Sequence, residues 1–349
     1  MFNNKSLEIS KNSDKDTSHE KGKITWKKIV LSIIFILCIV LIGFITVINN
    51  YLGKINKVDI NKNDLSIKEN FLETETSGLQ NNEMATPQNE DIQNIALFGI
   101  DETEGTAGRS DCIMILTIDN QHNELKLSSI IRDSYVTIPT KDKKDKINHA
   151  YAFGGPKLAL ETLNKNFKLN LDKFITVNFS SLPRIIDSLN GITLNITDEE
   201  LKYINYYIES INEINNTNSP DIVTSGEQLV DGTQALAYCR IRYTDGGDFE
   251  RSQRNRIVIN QLFEKYKTIS ITKYPSLLDK TLPMIHTNLE KSEIISIALN
   301  LNSLKNSTIL QGRFPQDEDG SGRLIDGIYY YVFDETSTTK KIQNFVYEN

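Results

Sequence analysis

The stretch that decides the fold is IQNIALFGIDETEGTAGRSDCIMILTIDNQHNELKLSSII, residues 92–131. Its first part, IQNIALFGI, is a short apolar run that ends just before Asp101, which is the pattern of a buried strand. Two further apolar runs, CIMILTI and ELKLSSII, are joined by a polar turn at residues 119–123. Such a pair is typical of a β-hairpin, so the stretch predicts one buried strand followed by a hairpin.

Beyond the hairpin, strand patterns alternate with helical ones. The runs FITVNF and GITLNI are predicted strands on either side of the helical SSLPRIIDSLN. Further helices are predicted at residues 151–167, 198–215, 248–266 and 290–304, and further strands at LAYCRIRY (236–243) and DGIYYYVFD (326–334). This order is typical of an α/β fold, and we expect a layered domain with a central mixed β-sheet flanked by helices.

The composition of the 349 residues is that of an ordinary globular protein, with 39% hydrophobic and 24% charged residues. The net charge of -7 argues against a nucleic-acid partner, because such binding needs cations that neutralise phosphates. Three cysteines, Cys38, Cys112 and Cys239, are too few for a disulfide framework. If this protein binds an anion, the site must be local.

The N-terminal region predicts a membrane anchor. Residues 29–48 are a run of 20 residues without charge or proline, which is long enough to cross a bilayer as a helix. Seven lysines in residues 1–28 place that tail in the cytoplasm by the positive-inside rule. A cleaved signal peptide is the competing interpretation, but its apolar region spans only about 7–15 residues. We therefore expect a single-pass membrane protein with a polar linker at 49–91 and an extracytoplasmic domain at 92–349.

Arginine is concentrated in one place. The chain has ten arginines against 29 lysines, yet five arginines fall within 17 residues: Arg240, Arg242, Arg251, Arg254 and Arg256. Arginine presents a planar fork that binds phosphate oxygens in pairs, so this local preference indicates an anion site. The alternative is that these arginines pair with Asp245, Asp248 and Glu250 on the surface. On the predicted strand, Arg240 and Arg242 share one face with Tyr238.

Two aspartates flank the loop after the first strand. Asp101 ends the strand, and Arg109-Ser110-Asp111 leads into the next one. Two carboxylates at neighbouring strand edges suit Mg²⁺, which completes its coordination with water and substrate phosphates. Alone, such a pair is more often explained by loop capping. Beside an arginine-rich cleft, a metal that bridges a diphosphate becomes plausible.

A third polar group surrounds Arg132, in SIIRDSY (129–135) and KINHAY (146–151). The neighbouring Asp133 is interpreted as an ion-pair partner. The histidines lack zinc-ligand spacing, and no G-x-S-x-G motif or Cys-His dyad is present. Hydrolysis by a standard nucleophile is therefore not expected.

Several motifs occur together in one order, and with them the chain resembles the LytR-CpsA-Psr family of cell-envelope proteins. They are FGID, GRSD, SIIRDSYVTIP, KINHAYAFGG, IIDSLNGI, GEQLVDGTQALAYCRIRY and GDFERSQRNR. The resemblance implies a phosphotransferase that moves an anionic glycopolymer, of the teichoic acid or capsular type, from an undecaprenyl-diphosphate carrier to peptidoglycan. The product would be a phosphodiester.

The resemblance also implies roles for individual residues. Asp101 and Asp111 match the metal-associated aspartates, so Mg²⁺ is the expected cofactor. The expected diphosphate-binding residues are Arg109, Arg132, Arg240, Arg242, Arg251, Arg254 and Asn255. The expected catalytic residues are Asp111, Arg132, Arg240, Arg242 and Asp248, with Asp111 or Asp248 as the group that accepts the hydroxyl proton. An apolar tunnel for the lipid is expected near the helices at residues 158–167 and 182–189.

The chain also departs from the family pattern. Glu102 and Thr103 stand where an arginine often follows the first aspartate, and Asn255 stands where many members have glutamine. The loss of one phosphate contact means either that His149, Lys146 or another cation compensates, or that this protein is weakly active or prefers another carrier. It also supports one alternative function, a polyprenyl-phosphate or glycan receptor without catalysis. A pyrophosphatase that releases the carrier is a second alternative. Cys112 and Cys239 are expected to be buried thiols, although a pair is conceivable if their strands adjoin.

Overall fold

The computed structural model describes residues 46–61, 91–101, 108–141, 143–242 and 247–348, together with Gly43 and Leu65. The chain divides into two units, Met1–Gly53 and Lys54–Asn349. In the first unit, residues 46–52 are helical. Among the described residues no helix has the length and apolar character to cross a bilayer. Most of the predicted anchor at 29–48 lies outside the described residues.

The second unit is built on a mixed sheet. The described strands of this unit are β1 (Asn56–Lys57), β2 (Ile92–Asp101), β3 (Arg109–Asp119), β4 (Glu124–Ile130), β5 (Tyr135–Thr137), β6 (Lys144–Lys146), β7 (Lys173–Asn178), β8 (Ile192–Ile196), β9 (Gly226–Val230), β10 (Ile285–Thr287), β11 (Ile309–Phe314), β12 (Gly320–Ile325) and β13 (Ile328–Phe333). Seven of them form the central sheet in the order β1-β10-β7-β2-β3-β4-β11. The other strands pair as hairpins, β5 with β6, β8 with β9 and β12 with β13.

The helices with described backbone in this unit are α1 (His149–Phe167), α2 (Leu182–Ser188), α3 (Asp198–Asn215), α4 (Gly232–Arg240), α5 (Gly247–Thr268), α6 (Tyr274–Thr281), α7 (Lys291–Ser303) and α8 (Glu335–Tyr347). Side chains from α1 and α8 pack on one face of the sheet, and side chains from α5 and α7 pack on the other. The predicted α/β layered fold with a mixed sheet is therefore confirmed.

Alternation along β3 shows why the sheet is covered on both faces. Ile113 and Ile115 lie in the core under α1, whereas Met114 and Ile118 lie in the core under α5. Successive side chains of a strand point to opposite faces of the sheet. A strand with apolar residues on both faces must therefore be covered on both faces. Burial of each such side chain contributes about 1.5–3 kcal/mol.

The predicted hairpin and the strands around 180–190 are confirmed, since β3 pairs antiparallel with β4, and β7 and β8 flank α2. One predicted strand is wrong. LAYCRIRY contributes to α4, which begins after Asp231 in a capping box with Gln234 and ends at Arg240. Its apolar residues looked like a buried strand because α4 is buried almost all round, and a helix in that position shows no amphipathic period.

Two predicted boundaries also need correction. Asn56 and Lys57 pair with β10 at the sheet edge, and Leu65 is fully buried in the core, so the folded unit includes part of the segment predicted to be a linker. The predicted closing strand, β13, pairs with β12 outside the central sheet, and the described chain continues into α8. The pairing of β1 with β10 joins residues far apart in the chain and leaves no local pattern, whereas β12 and β13 form a local hairpin whose position outside the central sheet only the tertiary structure decided.

Candidate active site

The polar residues predicted to form the site meet at one end of the neighbouring strands β2, β3 and β4. β2 ends at Asp101 and β3 begins at Arg109, and these two residues are register partners. A register shift between Gly99 and Ile100 bends the pair here. A β-carbon on Gly99 would lie 2.9 Å from Cβ of Cys112, so the close approach of the two strands requires glycine. Arg132 follows the neighbouring β4 at the same end.

These residues line a cleft of about 560 Å³. Its walls are formed by Asp101, Arg109, Asp111, Arg132, Asp133, Lys146, Asn148 and Arg242. Arg240 reaches Asp101 from the end of α4, and its Nη2 lies 3.3 Å from the Oδ1 of that aspartate. The lining is almost wholly polar and carries more cations than carboxylates, which favours an anionic ligand.

Asp111 is the centre of the site. Its Oδ2 lies 3.1 Å from Nη1 of Arg132, 3.1 Å from Nη2 of Arg251 and 3.9 Å from Nη2 of Arg242. Its Oδ1 accepts a hydrogen bond of 3.2 Å from the Asn148 amide. Burial by itself raises the pKa of Asp111, but Arg251 and Arg132 lower it by more, so the pKa falls to about 2. Asp111 is thus a fixed negative charge that gathers arginines from three parts of the chain.

Arg251 carries spare hydrogen-bond donors. It is 4% exposed, and its Nε and Nη1 are buried without a partner among the described residues. Burial, followed by the nearby charge of Arg132, lowers the pKa of Arg251. A buried guanidinium with unpaired N–H groups is costly, because its donors have given up water without replacement. Arg251 does not line the cleft itself but lies behind Asp111, which does, so these donors lie next to the site.

Arg254 has a different environment. Its Nε donates to Glu200 at 2.7 Å, its Nη2 to Glu250 at 2.8 Å and its Nη1 to the carbonyl of Ile241 at 3.2 Å. The Tyr238 ring centroid lies 5.9 Å from its guanidinium carbon. Arg254 is therefore placed in an internal network and does not line the cleft, in contrast to the implied role.

Of the remaining predicted residues, some reach the site and others do not or have side chains outside the described part of the chain. Arg240 and Arg242 reach the site from the end of α4 and the residues after it, although the predicted strand is absent. Asn255 is buried on α5 and follows Arg254 in the chain. Asp248 lies in the first turn of α5, and its side chain is outside the described part of the chain, as are Glu102 and Thr103.

The sequence placed Asn148 and Lys146 near Arg132 and offered Lys146 as a compensating cation, but it indicated no role for Asn148. Asn148 orients Asp111, and Lys146 Nζ lies 2.6 Å from Oδ1 of Asp133 in the cleft wall. Both residues stand in KINHAY, a little after Arg132 in the chain. The antiparallel pairing of β5 with β6 brings this segment back to Arg132. His149 instead contacts Asp145, with 3.0 Å between Nδ1 and Oδ2.

Cys112 and Cys239 are free thiols beside this site. Burial, the main cause in each case, raises the pKa of both thiols to about 12. They are therefore neutral at physiological pH. Cys239 is buried as predicted, whereas Cys112 is only partly buried.

Comparison with known proteins places this geometry in a family. The LytR_cpsA_psr family model matches residues 54–345. The polyisoprenyl-teichoic acid–peptidoglycan teichoic acid transferase TagU of Bacillus licheniformis is 34% identical over 251 residues, which cover 71% of this chain and 75% of that protein. TagU of Bacillus subtilis is 33% identical over 246 residues, with coverage of 70% and 73%.

The fold comparison agrees. A solved structure of TagT bound to LIIa-WTA superposes with a TM-score of 0.59 and 26% identity, and covers 74% of this chain and 91% of that one. Residues 54–345, which the family model matches, contain the central sheet, the cleft and the arginines around Asp111. The chain therefore belongs to the LytR_cpsA_psr family.

Proposed function

We propose that this protein transfers an anionic glycopolymer of the teichoic acid or capsular type from a polyprenyl-diphosphate carrier to peptidoglycan, forming a phosphodiester. The observation that carries the proposal is the convergence of three arginines on Asp111 in the wall of a cleft rich in cations, with two unpaired Arg251 nitrogens buried behind it. The names of the TagU relatives support the reaction class.

The arginines supply the binding chemistry. Arg132, Arg242 and Arg251 converge on one carboxylate oxygen, so a diphosphate that enters the cleft finds their donors already oriented. Guanidinium groups bind phosphate oxygens in pairs and remain charged. Because the groups are fixed before the ligand arrives, they stabilise charge that develops on the leaving polyprenyl phosphate without a reorganisation cost.

The residues present fit Mg²⁺. Asp101 and Asp111 offer two carboxylates, and Asn148 Oδ1 is a buried acceptor without a partner in the described structure. Mg²⁺ prefers oxygen ligands and needs only one or two carboxylates when substrate phosphates complete its shell. The described residues contain no group of three or more His, Cys, Asp or Glu side chains placed to hold a metal, so water and substrate phosphates would have to complete the coordination shell. When bound, Mg²⁺ would neutralise phosphate oxygens as a Lewis acid.

In the proposed reaction, the acceptor hydroxyl attacks the glycopolymer-bearing phosphorus in line, and the bond to the bridging oxygen breaks. Asp111 is poorly suited to accept the hydroxyl proton. A general base works best with a pKa near the operating pH, and the arginines hold the pKa of Asp111 at about 2. We therefore assign Asp111 to positioning the arginines and the metal. Asp248, the other candidate base, accepts the hydroxyl proton as polyprenyl phosphate leaves.

The lipid tail needs an apolar surface that is not already closed. The helix at 158–167 does not offer one, because Leu160, Leu163 and Phe167 are fully buried core. The opposite face, between the sheet and helices α5 and α7, has several half-buried apolar side chains: Leu97, Leu116, Ile175, Ile259, Phe263, Ile297 and Leu301. We place the polyprenyl chain on this face.

The proposal requires the domain to lie outside the cytoplasm, anchored by residues 29–48. Protease treatment of intact protoplasts tests this arrangement with an epitope at the C-terminus. We expect the epitope to be digested without lysis. Protection of the epitope until lysis would contradict the topology.

The transferase proposal is tested with the full chain in detergent, a polyprenyl-diphosphate saccharide, uncrosslinked peptidoglycan strands and Mg²⁺. We expect a metal-dependent sugar phosphate on the glycan, and its rate to fall about 1000-fold or more in Asp111→Asn, because the arginines lose their common partner. Asp59→Asn, at an exposed aspartate, is the matched control. Donor that is bound but unchanged would favour a receptor, and hydrolysed donor would favour a pyrophosphatase.

A further inference from the structure

The β12–β13 hairpin lies at the rim of the cleft. Its Tyr331 N–H donates to the carbonyl of Asp133 at 2.8 Å, and Ser134 forms a bridge with the same tyrosine. Tyr331 is 2% exposed, and its hydroxyl donates to the carbonyl of Gln316 at 3.3 Å. The hairpin is thereby fixed to the segment that carries Arg132 and Asp133.

Three consecutive tyrosines on this hairpin have different environments. Tyr331 is the anchor, and Tyr330 is 9% exposed with its ring centroid 4.7 Å from that of Tyr135. Tyr329 is 43% exposed. Two of the three are needed for packing, whereas Tyr329 presents a large ring to solvent.

The Tyr329 ring lies against Gly322. A β-carbon at Gly322 would lie 2.5 Å from Cε2 of Tyr329 and 2.6 Å from its hydroxyl oxygen. The absence of a side chain there lets the ring rest on the backbone of the neighbouring strand. Leu324, which is the register partner of Tyr329, is also exposed and extends the apolar surface.

Lys146 connects this surface to the cleft. Its Nζ lies 6.0 Å from the Tyr329 ring centroid and 5.8 Å from that of Tyr330, within the range of a cation–π contact. The same ammonium is paired with Asp133, and both residues line the cleft. Ring, ammonium and carboxylate thus form a continuous row from the hairpin to the cleft.

This combination suits a sugar better than a phosphate. A pyranose presents C–H groups on one face, which pack on the electron-rich face of an aromatic ring, and hydroxyls that bond to carboxylates and ammonium groups. The arginines around Asp111 serve the diphosphate, and Arg132 links the two groups, with 3.5 Å between its Nε and Oδ2 of Asp133. We propose that Tyr329, supported by Gly322 and flanked by Lys146 and Asp133, forms a saccharide subsite that takes a pyranose ring of the glycan donor or acceptor. This inference rests on the proposed function.

Calorimetry on the full chain in detergent tests the subsite. The probes are sugar-free polyprenyl diphosphate, the same lipid carrying a saccharide, and a soluble uncrosslinked peptidoglycan oligosaccharide. The variants are Tyr329→Ala and Tyr329→Phe, with Tyr206→Ala as a control for loss of an exposed tyrosine on α3. We expect Tyr329→Ala to bind a saccharide-bearing probe about tenfold more weakly, with Tyr329→Phe and the control close to wild type.

The probes separate the possible outcomes. Loss confined to the saccharide-bearing lipid assigns the subsite to the donor, and loss confined to the oligosaccharide assigns it to the acceptor. Equal affinities of wild type and Tyr329→Ala for both would overturn the subsite. Failure of the wild-type protein to bind sugar-free polyprenyl diphosphate would instead count against the proposed function, since that probe does not reach Tyr329.

Discussion

Arg251 and Arg254 stand three residues apart on α5, are almost equally buried, and have opposite environments. Arg254 donates from Nε and both terminal nitrogens to protein acceptors, whereas two nitrogens of Arg251 have no partner in the described structure. The same residue type on the same helix stabilises the fold at one position and leaves binding capacity at the other. What differs is the element that faces each side chain.

The partner of Arg254 explains its role. Glu200 closes the capping box of α3 with Thr197, through bonds of 3.0 and 3.2 Å, and its other oxygen accepts from Arg254. Arg254 therefore ties α5 to the start of α3. Arg251 faces Asp111, whose charge is shared with Arg132 and Arg242.

Replacement of Arg254 should have the largest effect on stability. Arg254→Met leaves Glu200 buried without its cation, and removal of one member of a buried pair costs about 3–5 kcal/mol. We expect the free energy of unfolding in urea to fall by that amount. The double variant Arg254→Met with Glu200→Gln should recover part of the loss. If Arg254→Met kept full stability but lost donor binding, Arg254 would belong to the site after all.

Replacement of Arg251 should show the reverse. In Arg251→Met, Asp111 keeps Arg132 and Asn148, so we expect a change in unfolding free energy of about 1 kcal/mol or less. Affinity for polyprenyl diphosphate should fall about 100-fold, because the unpaired donors are lost. Titration of the lipid by fluorescence measures this. Arg251→Lys should not restore binding, since an ammonium lacks the planar fork. If Arg251→Met strongly destabilised the protein but left lipid binding intact, Arg251 would have the same structural role as Arg254.

Acid should weaken the site through Asp111. Its pKa is lowered to about 2 in the folded protein, below the unfolded value of about 3.9, so its ionised form stabilises the fold above about pH 4. This contribution, about 2 kcal/mol, is lost as the pH falls through the folded pKa. The difference in unfolding free energy between wild type and Asp111→Asn should therefore shrink from pH 5 to pH 2.5. A constant difference would show that the arginines do not lower this pKa.

The smallest effect concerns the thiols near Arg251. The raised pKa of Cys112 and Cys239, about 12 in each, leaves almost no thiolate at pH 8. Iodoacetamide should leave both unmodified in the native protein, as measured by peptide mass, and modify both in urea. Rapid native modification of Cys239 would show that the neighbouring arginines outweigh burial.

Much of the fold was predictable because apolar runs and caps are local. The strand at 92–100, the hairpin after it and the helices at 151–167 and 198–215 follow from periodicity. LAYCRIRY was misassigned although Asp231 and Gln234 stood in capping-box positions before it. A helix buried on all sides loses the period that would identify it, so the cap was the better signal.

The site was predictable in residue type but less so in arrangement. Asp111, Arg132 and Arg242 meet as the motifs suggested, whereas Asn148 and Lys146 entered through the β5–β6 pairing. Arg254 was drawn into an ion pair by Glu200, which lies 54 positions earlier in the chain. No local pattern announces a partner at that separation.

The sequence by itself determined which segments must be buried and where helices begin. It also determined where the planar guanidinium of arginine is used in place of the ammonium of lysine. Only the tertiary structure decided which arginine is satisfied by protein and which is left with donors for a ligand. The physical reason is that burial and propensity act along a few neighbouring residues, whereas the charge balance at a buried atom depends on every element packed around it.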